Sequence, residues 1–125
     1  MIAYSTVGVS DMTRSIAFYD AVFAPLGAAR DTTSETWTGY SRPGDRARVF
    51  LTRPVNREAA DGGNGLMLAF LAADRAAVDA FHAAALAHGG ADEGAPGVRE
   101  GMNPVFYAAY VRDPDGAKLC AFVRQ

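Results

Sequence analysis

The sequence predicts an α+β fold in which two tandem βαβββ units form one domain. The first observation is an internal repeat, because four landmark positions of the first half recur 63 residues further along the chain. These pairs are Tyr4 and Met67, Asp11 and Asp74, Phe18 and Phe81, and Gly27 and Gly90. The second observation is that strand-like and helix-like apolar patterns follow in the same order in both halves. A repeat of this length indicates two copies of one supersecondary unit, each too small to bury its own core.

The first unit, residues 1–53, begins with a predicted strand over residues 2–9, which are rich in β-branched and aromatic side chains. A helix follows, because Asp11 suits an N-cap and Gly27 suits a left-handed C-terminal position. Apolar residues three and four apart give this helix one buried face, formed by Met12, Ile16, Tyr19, Phe23 and Leu26. Three short strands complete the unit, over residues 28–32, 35–41 and 46–53.

The second unit, residues 65–125, repeats this order after a linker at 54–64 that is rich in Gly, Pro and Asn. The sequence Asp-Pro-Asp-Gly at 113–116 predicts a tight turn, because Pro pre-sets one turn residue and Gly accepts a positive φ. The expected elements are a strand over 65–72, a helix over 74–88 ended by Gly89-Gly90, a weak strand near 97–100, and strands over 105–112 and 117–124.

Composition excludes several classes of function. The 125 residues carry a formal net charge of −2, so no basic surface for nucleic acid or for an anionic membrane is expected. No apolar run approaches the roughly 20 residues that a membrane-spanning helix needs. The single cysteine, Cys120, cannot form an internal disulfide, and no basic-then-apolar leader precedes the first strand. We therefore expect a cytoplasmic protein.

Six short phrases, taken in their order and spacing, give the chain a family resemblance. They are Val7-Gly8-Val9-Ser10-Asp11, Ala17-Phe18-Tyr19-Asp20, Ala24-Pro25-Leu26-Gly27, Asp79-Ala80-Phe81-His82-Ala83-Ala84-Ala85, Tyr107-Ala108-Ala109 and Asp113-Pro114-Asp115-Gly116. With them the chain resembles the vicinal oxygen chelate superfamily, which includes glyoxalase I, extradiol dioxygenases, bleomycin- and fosfomycin-resistance proteins and methylmalonyl-CoA epimerase. The resemblance implies that each unit forms a half-open barrel with its helix outside, and that the domain assembles as a homodimer.

The resemblance also implies where a metal would bind, because metal-binding members carry ligands on the first and last strands of each unit. Those positions here are Tyr4, Phe50, Met67 and Cys120. Phenylalanine has no donor atom, and a thioether binds soft Cu(I) rather than Zn, Mn or Fe. The phenol and the thiol would have to ionise from reference pKa values of about 10 and 8.5. We therefore predict no metal and no other cofactor, and the usual chelate chemistry of the superfamily is not expected.

Strand alternation predicts which side chains share the barrel interior with these four positions. On the third strand either Trp37 or its neighbours Thr36 and Thr38 point inward, depending on the register. A regular hairpin places Tyr110 opposite Cys120. These side chains suit a flat or aromatic small molecule, or equally a core that is packed shut. The predicted ligand-binding residues are Tyr4, Trp37, Phe50, Met67, Tyr110, Cys120 and Phe122.

Three other groups could carry chemistry, and for each of them a structural role is the favoured interpretation. His82 and His88 lie on the second helix, which is expected to pack outside the sheet. Cys120 is a small buried hydrophobe unless Lys118 favours its thiolate form. Five arginines could hold an anionic group of a ligand or could solvate a sheet edge. They are Arg42, Arg46, Arg48, Arg53 and Arg57.

These observations favour a protein that binds an apolar or aromatic small molecule in the barrel without a metal. The alternative is a lyase, isomerase or dioxygenase-type enzyme of the same superfamily with a displaced or unusual active site. A purely structural role is a third hypothesis. No catalytic residue can be assigned from the sequence, and the linker at 54–64 leaves both swapped and unswapped dimers open.

Overall fold

The computed structural model describes residues 1–102 and 104–124, and within them the chain follows the predicted order of elements. The first unit contains β1 (Tyr4–Gly8), α1 (Met12–Phe23), β2 (Ala29–Thr33), β3 (Trp37–Ser41) and β4 (Arg48–Thr52). The second unit contains β5 (Leu68–Leu71), α2 (Arg75–Ala87), β6 (Ala91–Arg99), β7 (Phe106–Arg112) and β8 (Lys118–Arg124). The predicted tandem βαβββ architecture is confirmed, with most element boundaries within three residues of those expected.

Each unit forms its own four-stranded mixed sheet. The strand orders are β1-β4-β3-β2 and β5-β8-β7-β6, so the two sheets have the same topology. In each, the first strand runs parallel to the last, and the helix between the first two strands provides the crossover that a parallel pair requires. The other pairs are antiparallel. The sequence repeat therefore corresponds to a repeat of hydrogen-bonded topology.

The predicted helix signals act as expected. The carboxylate of Asp11 accepts a hydrogen bond from the Arg14 amide at 3.0 Å, and that of Asp74 accepts one from the Ala77 amide at 2.8 Å. These bonds satisfy amides that the first turn of a helix leaves without partners. A short 3-10 turn, Ala24–Leu26, follows α1, and Gly27 ends it at φ +78°. Gly27 is therefore needed at a left-handed position.

Strand β6 differs from its prediction, because it begins at Ala91 rather than near residue 97. Its first part contains Gly94 and Pro96 and few β-branched residues, so its local sequence does not favour a strand. Pairing with β7 extends it nonetheless, and the register shifts between Asp92 and Gly94 and again between Gly94 and Gly97. Tertiary pairing thus outweighs local propensity, at the expense of two irregularities in an edge strand.

The core lies between the helices and one face of each sheet. Tyr40 of β3 contacts the ring of Phe23 in α1, and Thr38 donates a hydrogen bond to the sulfur of Met12 at 3.4 Å. In the second unit the Tyr107 hydroxyl donates to Asp79 of α2 at 2.6 Å. Residues that alternate with these point away from the helices. We call this helix-free side of each sheet the outer face; it is the side that corresponds to the barrel interior predicted from the sequence. None of the helices in residues 1–102 and 104–124 is long and apolar enough to cross a membrane.

Contacts between the units join them into a single core. The Tyr19 hydroxyl of α1 donates to Asp113 in the β7–β8 turn at 2.6 Å. Arg42 Nη1 donates to the carbonyl of Leu71 in β5 at 2.7 Å. The linker packs against the same turn, because a side chain at Gly62 would overlap the backbone of Gly116. The linker is therefore packed closely against the second unit.

Candidate ligand-binding faces

The strand register identifies equivalent positions in the two units. Thr6 lies opposite Phe50 in the first parallel pair, and Ala69 lies opposite Cys120 in the second. Phe50 and Cys120 are therefore structural equivalents, as the sequence predicted. The register also places Tyr110 opposite Cys120, which confirms the predicted hairpin pairing. Tyr4, Phe50 and Cys120 lie in β1, β4 and β8, and Met67 directly precedes β5.

The outer face of the first sheet carries a cluster of three aromatic rings. Phe50 lies at its centre, with its ring centroid 5.4 Å from that of Tyr4 and 5.4 Å from that of Trp37. Both contacts are edge-to-face, the arrangement that aromatic quadrupoles favour. Tyr4 is 57% exposed and Trp37 is 41% exposed. Thr38 lies on the helix side, so the register selects Trp37 for the outer face, and part of this aromatic surface is accessible to a ligand.

A charged pair adjoins these rings. The guanidinium of Arg48 stacks over Phe50, with its carbon 4.5 Å from the ring centroid, and its Nη2 pairs with the carboxylate of Asp31. Gly39 makes room for this pair, because a Cβ there would lie within 3 Å of all three side chains. Arg48 and Asp31 neutralise one another, so this face offers an aromatic surface with little net charge.

The outer face of the second sheet is more closely packed. Cys120 is buried, Tyr110 and Phe122 are half-buried, and Phe122 stacks on Phe106 with their centroids 4.8 Å apart. Sequence reasoning did not select Phe106, although strand alternation places it on the same side as Ala108. Side chains of the second sheet therefore fill part of the space that the sequence assigned to a ligand.

Burial dominates the chemistry of Cys120. It raises the thiol pKa from 9.0 to about 11, although a hydrogen bond from Tyr110 and the charges of Arg99 and Lys118 act in the opposite direction. A thiol with this pKa is almost fully protonated at neutral pH, so it is a poor nucleophile.

Two cations lie beside the ring of Tyr110. The guanidinium carbon of Arg99 is 5.1 Å from the ring centroid, and the ammonium of Lys118 is 5.5 Å from it. Arg99 Nη2 also donates to the carbonyls of Ala95 and Ala108, at 2.7 and 3.0 Å. Sequence reasoning did not identify Arg99, although it lies in the weak strand expected near 97–100, because nothing in that segment shows that it pairs with β7.

A cleft between β1 and β5 lies at the junction of the two units. It has a volume of about 290 Å³, and Thr6 and Gly8 from the first unit line it with Met67 and Lys118 from the second. Of the seven predicted ligand-binding residues, only Met67 lies in this cleft. Tyr4, Trp37 and Phe50 form one group, while Tyr110, Cys120 and Phe122 lie on the other sheet. The structure therefore presents two neighbouring surfaces joined by a cleft, not one closed pocket.

A second cleft of about 250 Å³ opens on the helix side of the same junction. Its lining is mainly apolar and includes Phe23, Tyr40, Leu68 and Phe70, with Arg42 among its polar residues. Sequence reasoning did not find this cleft, because it arises from the way the two units meet and not from the pattern of any one element.

The described residues do not bring together a set of metal donors. In residues 1–102 and 104–124 no group of three or more His, Cys, Asp or Glu side chains is close enough to hold a metal ion. His82 contacts the carboxylate of Asp92 at 2.8 Å, and His88 contacts the Ala84 carbonyl at 2.9 Å. Phenol, phenyl, thioether and protonated thiol groups do not fit a Zn, Ni, Mn or Fe site.

The five arginines between positions 42 and 57 are divided between separate places, and Arg53 and Arg57 both line a groove beside Trp37. Arg42 pairs with Asp45 at 2.9 Å and donates to two backbone carbonyls. Arg48 is paired with Asp31, as described above. Arg46 lies exposed in the loop before β4. These contacts agree with a structural role for Arg42 and Arg48.

Comparisons with known proteins agree with this topology. A family model described as Glyoxalase/Bleomycin resistance protein/Dioxygenase superfamily matches residues 1–121. A solved structure of a glyoxalase/bleomycin resistance protein from Albidiferax ferrireducens T118 is 40% identical, with a TM-score of 0.91 and 99% of each chain covered. The comparison with curated proteins gives no match.

Two more distant solved structures show the same fold. A glyoxalase-related enzyme from Fulvimarina pelagi is 20% identical, with a TM-score of 0.77 over 98% of this chain and 87% of that one. A lactoylglutathione lyase from Agrobacterium tumefaciens is 21% identical, with a TM-score of 0.67 over 98% of this chain and 92% of that one. At these identities the likeness concerns the fold alone.

Proposed function

This chain belongs to the glyoxalase/bleomycin resistance protein/dioxygenase superfamily, and from that premise we propose that it binds an apolar or aromatic small molecule without using a metal. The ligand lies against the outer faces of the sheets, at the junction between the units. The observation that carries the proposal is the aromatic group of Tyr4, Trp37 and Phe50, whose outer rings are exposed beside the cleft-lining residue Thr6.

Physical chemistry supports an aromatic or apolar ligand on this surface. Exposed rings are costly to leave in water, and covering apolar area contributes about 25 cal/mol per Å². Edge-to-face rings hold one another in place, so less side-chain entropy is lost when a flat molecule stacks on them. The paired charges of Arg48 and Asp31 add polarity at the edge of this surface.

The donor set supports a metal-independent mode of binding. Superfamily metals are held by imidazole and carboxylate groups, and the equivalent positions here are Tyr4, Phe50, Met67 and Cys120. Because these side chains do not fit a hard cation, no reaction step is derived through one. On this proposal the fold is retained as a binding scaffold.

The protein is further proposed to act in the cytoplasm as a homodimer. Support for a dimer comes from large apolar side chains that lie exposed near the β1 and β5 edges. These are Ile2, Leu66 and Leu71. Covering such a group is a common reason for self-association. Light scattering, measured as the protein elutes from a size-exclusion column, is expected to give twice the chain mass of 13.2 kDa.

A ligand screen tests the proposed binding function. We expect flat aromatic compounds, tested by thermal shift and then by calorimetry, to raise the melting temperature of the wild-type protein. Phe50→Ala should weaken binding of the best compound, because it removes the centre of the aromatic group. Leu86→Ala is the control, since Leu86 is exposed on α2, away from both outer faces.

The single tryptophan gives an independent readout. Trp37 lies on the outer face of the first sheet, so a ligand stacked there should change its fluorescence. If no compound of a broad aromatic panel stabilises the protein, the proposed function is wrong. If binding instead requires an added metal ion, the alternative of a metal-dependent enzyme with a displaced site replaces it.

A further inference from the structure

Equivalent cations of the two units differ in their partners. Arg48 lies opposite Tyr4 in the first parallel pair, and Lys118 immediately precedes the residue opposite Leu68 in the second, so the repeat relates Arg48 to Lys118. Arg48 is paired with Asp31. Lys118 forms no ion pair with an acidic side chain in the part of the chain that the structure describes. The second outer face therefore carries a charge that the first face neutralises.

The acidic residue equivalent to Asp31 is present in the second unit, but it binds elsewhere. Asp31 is the extra residue where the register shifts between Arg30 and Thr32, and Glu93 is the extra residue at the matching shift in β6. Glu93 accepts a hydrogen bond from Arg112 Nε at 2.8 Å. In the first unit Ser41 occupies the position equivalent to Arg112. No cation at that position competes with Arg48 for the carboxylate of Asp31.

The residue between these groups also differs. Gly39 and Tyr110 occupy equivalent positions, since each lies opposite Phe50 or Cys120 in its own sheet. Because Gly39 has no side chain, Arg48 has room to pair with the carboxylate of Asp31. Tyr110 fills that space and holds Lys118 against its ring at 5.5 Å. A cation held by an aromatic face keeps its full charge, because the ring supplies no counter-ion.

Arg99 brings a second positive charge to the ring of Tyr110. It lies 5.1 Å from the Tyr110 ring, its Nε is buried without a hydrogen-bond partner, and it too lacks an acidic partner among the described residues. Arg99 and Lys118 both lower the pKa of the neighbouring Cys120 thiol, so both favour negative charge at this point. Burial outweighs them for the thiol, which has no route to solvent.

The cleft beside Lys118 has room for a ligand. Lys118 and Met67 line the cleft of about 290 Å³ between β1 and β5. Asp61 also lines it, but its carboxylate accepts a hydrogen bond from the Gly63 amide at 3.0 Å and makes no ion pair with Lys118. Among the described residues that line this cleft, Lys118 is the one cation, so a negative group that enters it would contact the Lys118 ammonium.

We propose that Lys118, held on the ring of Tyr110, binds the oxyanion of a flat aromatic ligand whose apolar body lies against Met67 in the cleft, while Arg99 on the same ring adds positive charge to this face. This inference rests on the proposed function and deepens it, because it names the class of ligand as an aromatic carboxylate or aromatic phosphate. A charge-assisted contact from an ammonium to an oxyanion is stronger than a contact between neutral groups.

Matched probes test the inference. Calorimetry with 2-naphthoate, 2-naphthyl phosphate and the neutral 2-naphthamide compares the charged and uncharged forms of one ring system. We expect wild-type protein to bind at least one of the two anions about tenfold tighter than the amide. The preferred anion distinguishes a carboxylate ligand from a phosphate ligand. Lys118→Met should abolish the preference and Lys118→Arg should keep it, because only the second retains the charge.

Arg46→Met provides the control for a change in overall charge. Arg46 is exposed in the loop before β4 and lies outside both outer faces, so its loss should leave the preference unchanged. If Arg46→Met, and not Lys118→Met, removes the preference, the anion binds among the arginines of the first unit and the inference is wrong. Equal binding of all three probes also overturns it but leaves the proposed function standing. Binding of the neutral amide alone would likewise overturn the inference and leave the proposed function standing.

Discussion

The phenol of Tyr19 in the first helix donates a 2.6 Å hydrogen bond to the carboxylate of Asp113 in the turn between β7 and β8. Both residues are buried, and they are 94 positions apart in the chain. The same carboxylate accepts hydrogen bonds from the amides of Asp115 and Ala117, so it also fixes the turn. One bond thus connects the two copies of the repeat and orients the hairpin that carries Lys118.

Removal of that hydroxyl should destabilise the protein. We expect Tyr19→Phe to lower the free energy of unfolding by about 1–3 kcal/mol, because it leaves a buried carboxylate short of one donor. Urea denaturation followed by circular dichroism measures the change. Tyr107→Phe is the matched control, since its hydroxyl also bonds an aspartate at 2.6 Å but in an exposed position. A loss for Tyr107→Phe as large as that for Tyr19→Phe would refute a special role for the buried pair.

Stability should fall at alkaline pH because of the same tyrosine. Burial, followed by the nearby charge of Asp113, raises the pKa of Tyr19 well above its ordinary value of 10.0. The neutral phenol is therefore favoured in the folded state, while the unfolded chain ionises near pH 10. Its contribution is fully present below that pH and is lost as the pH rises further, by about 1.4 kcal/mol per pH unit.

Urea denaturation between pH 8 and pH 11 measures this slope. Tyr19→Phe should be less stable at pH 8 but should show a shallower decline above pH 10, because the variant has lost the titrating group. Tyr40, whose pKa is also raised by burial and by its bond to Asp20, contributes in the same direction and remains in the variant. Identical slopes for wild type and variant would contradict the assignment to Tyr19.

Cys120 should resist thiol reagents in the folded protein. Its pKa of about 11 leaves less than about 1% of the thiol ionised at pH 8, and the side chain is also buried. We expect a chromogenic disulfide reagent to label the native protein far more slowly than the urea-unfolded chain. Native labelling at the rate of a free thiol would mean that Cys120 is accessible and that a nucleophilic role must be reconsidered.

The contact between the linker and the last turn should be intolerant of a methyl group. A Cβ at Gly62 would overlap the carbonyl oxygen of Gly116, and neither backbone can move without disturbing the turn. We expect Gly62→Ala to destabilise the protein by about 1–3 kcal/mol. Gly97→Ala is the control, because a Cβ there would meet no atom closer than 3.8 Å. Equal stability of the two variants would show that the linker does not bind this turn.

Much of the fold could be predicted from single residues with a local effect. Asp11 and Asp74 cap helices, Gly27 takes a positive φ, and Gly116 closes a turn at φ +91°. These effects depend on the backbone nearby, so a sequence displays them directly. Strand β6 was the exception, because its pairing with β7 is a long-range effect that its own residues do not favour.

The candidate site was only partly predictable for a related reason. Strand alternation left Trp37 or its neighbours Thr36 and Thr38 open, and the register selects Trp37, opposite Thr52. The register also confirms Phe50 as the equivalent of Cys120. The sequence could not show that only Met67 of the predicted residues lines the cleft between the units, because that depends on how the units meet. The ion pairs Arg48–Asp31 and Arg112–Glu93 could not be predicted from the sequence either. Asp31 and Glu93 are extra residues at bulges, and the position of a bulge depends on how the strands pair.

Metal content and ligand affinity, measured on the same preparation purified without chelators, test metal-independent binding most directly. Elemental analysis should find Zn, Ni, Mn and Fe far below one ion per chain, and treatment with EDTA should leave the affinity for the best aromatic ligand unchanged. The contrary result is a stoichiometric metal whose removal by EDTA abolishes binding. If Cys120→Ala also lost that metal, the equivalent positions would form a metal site after all, and binding without a metal would be wrong.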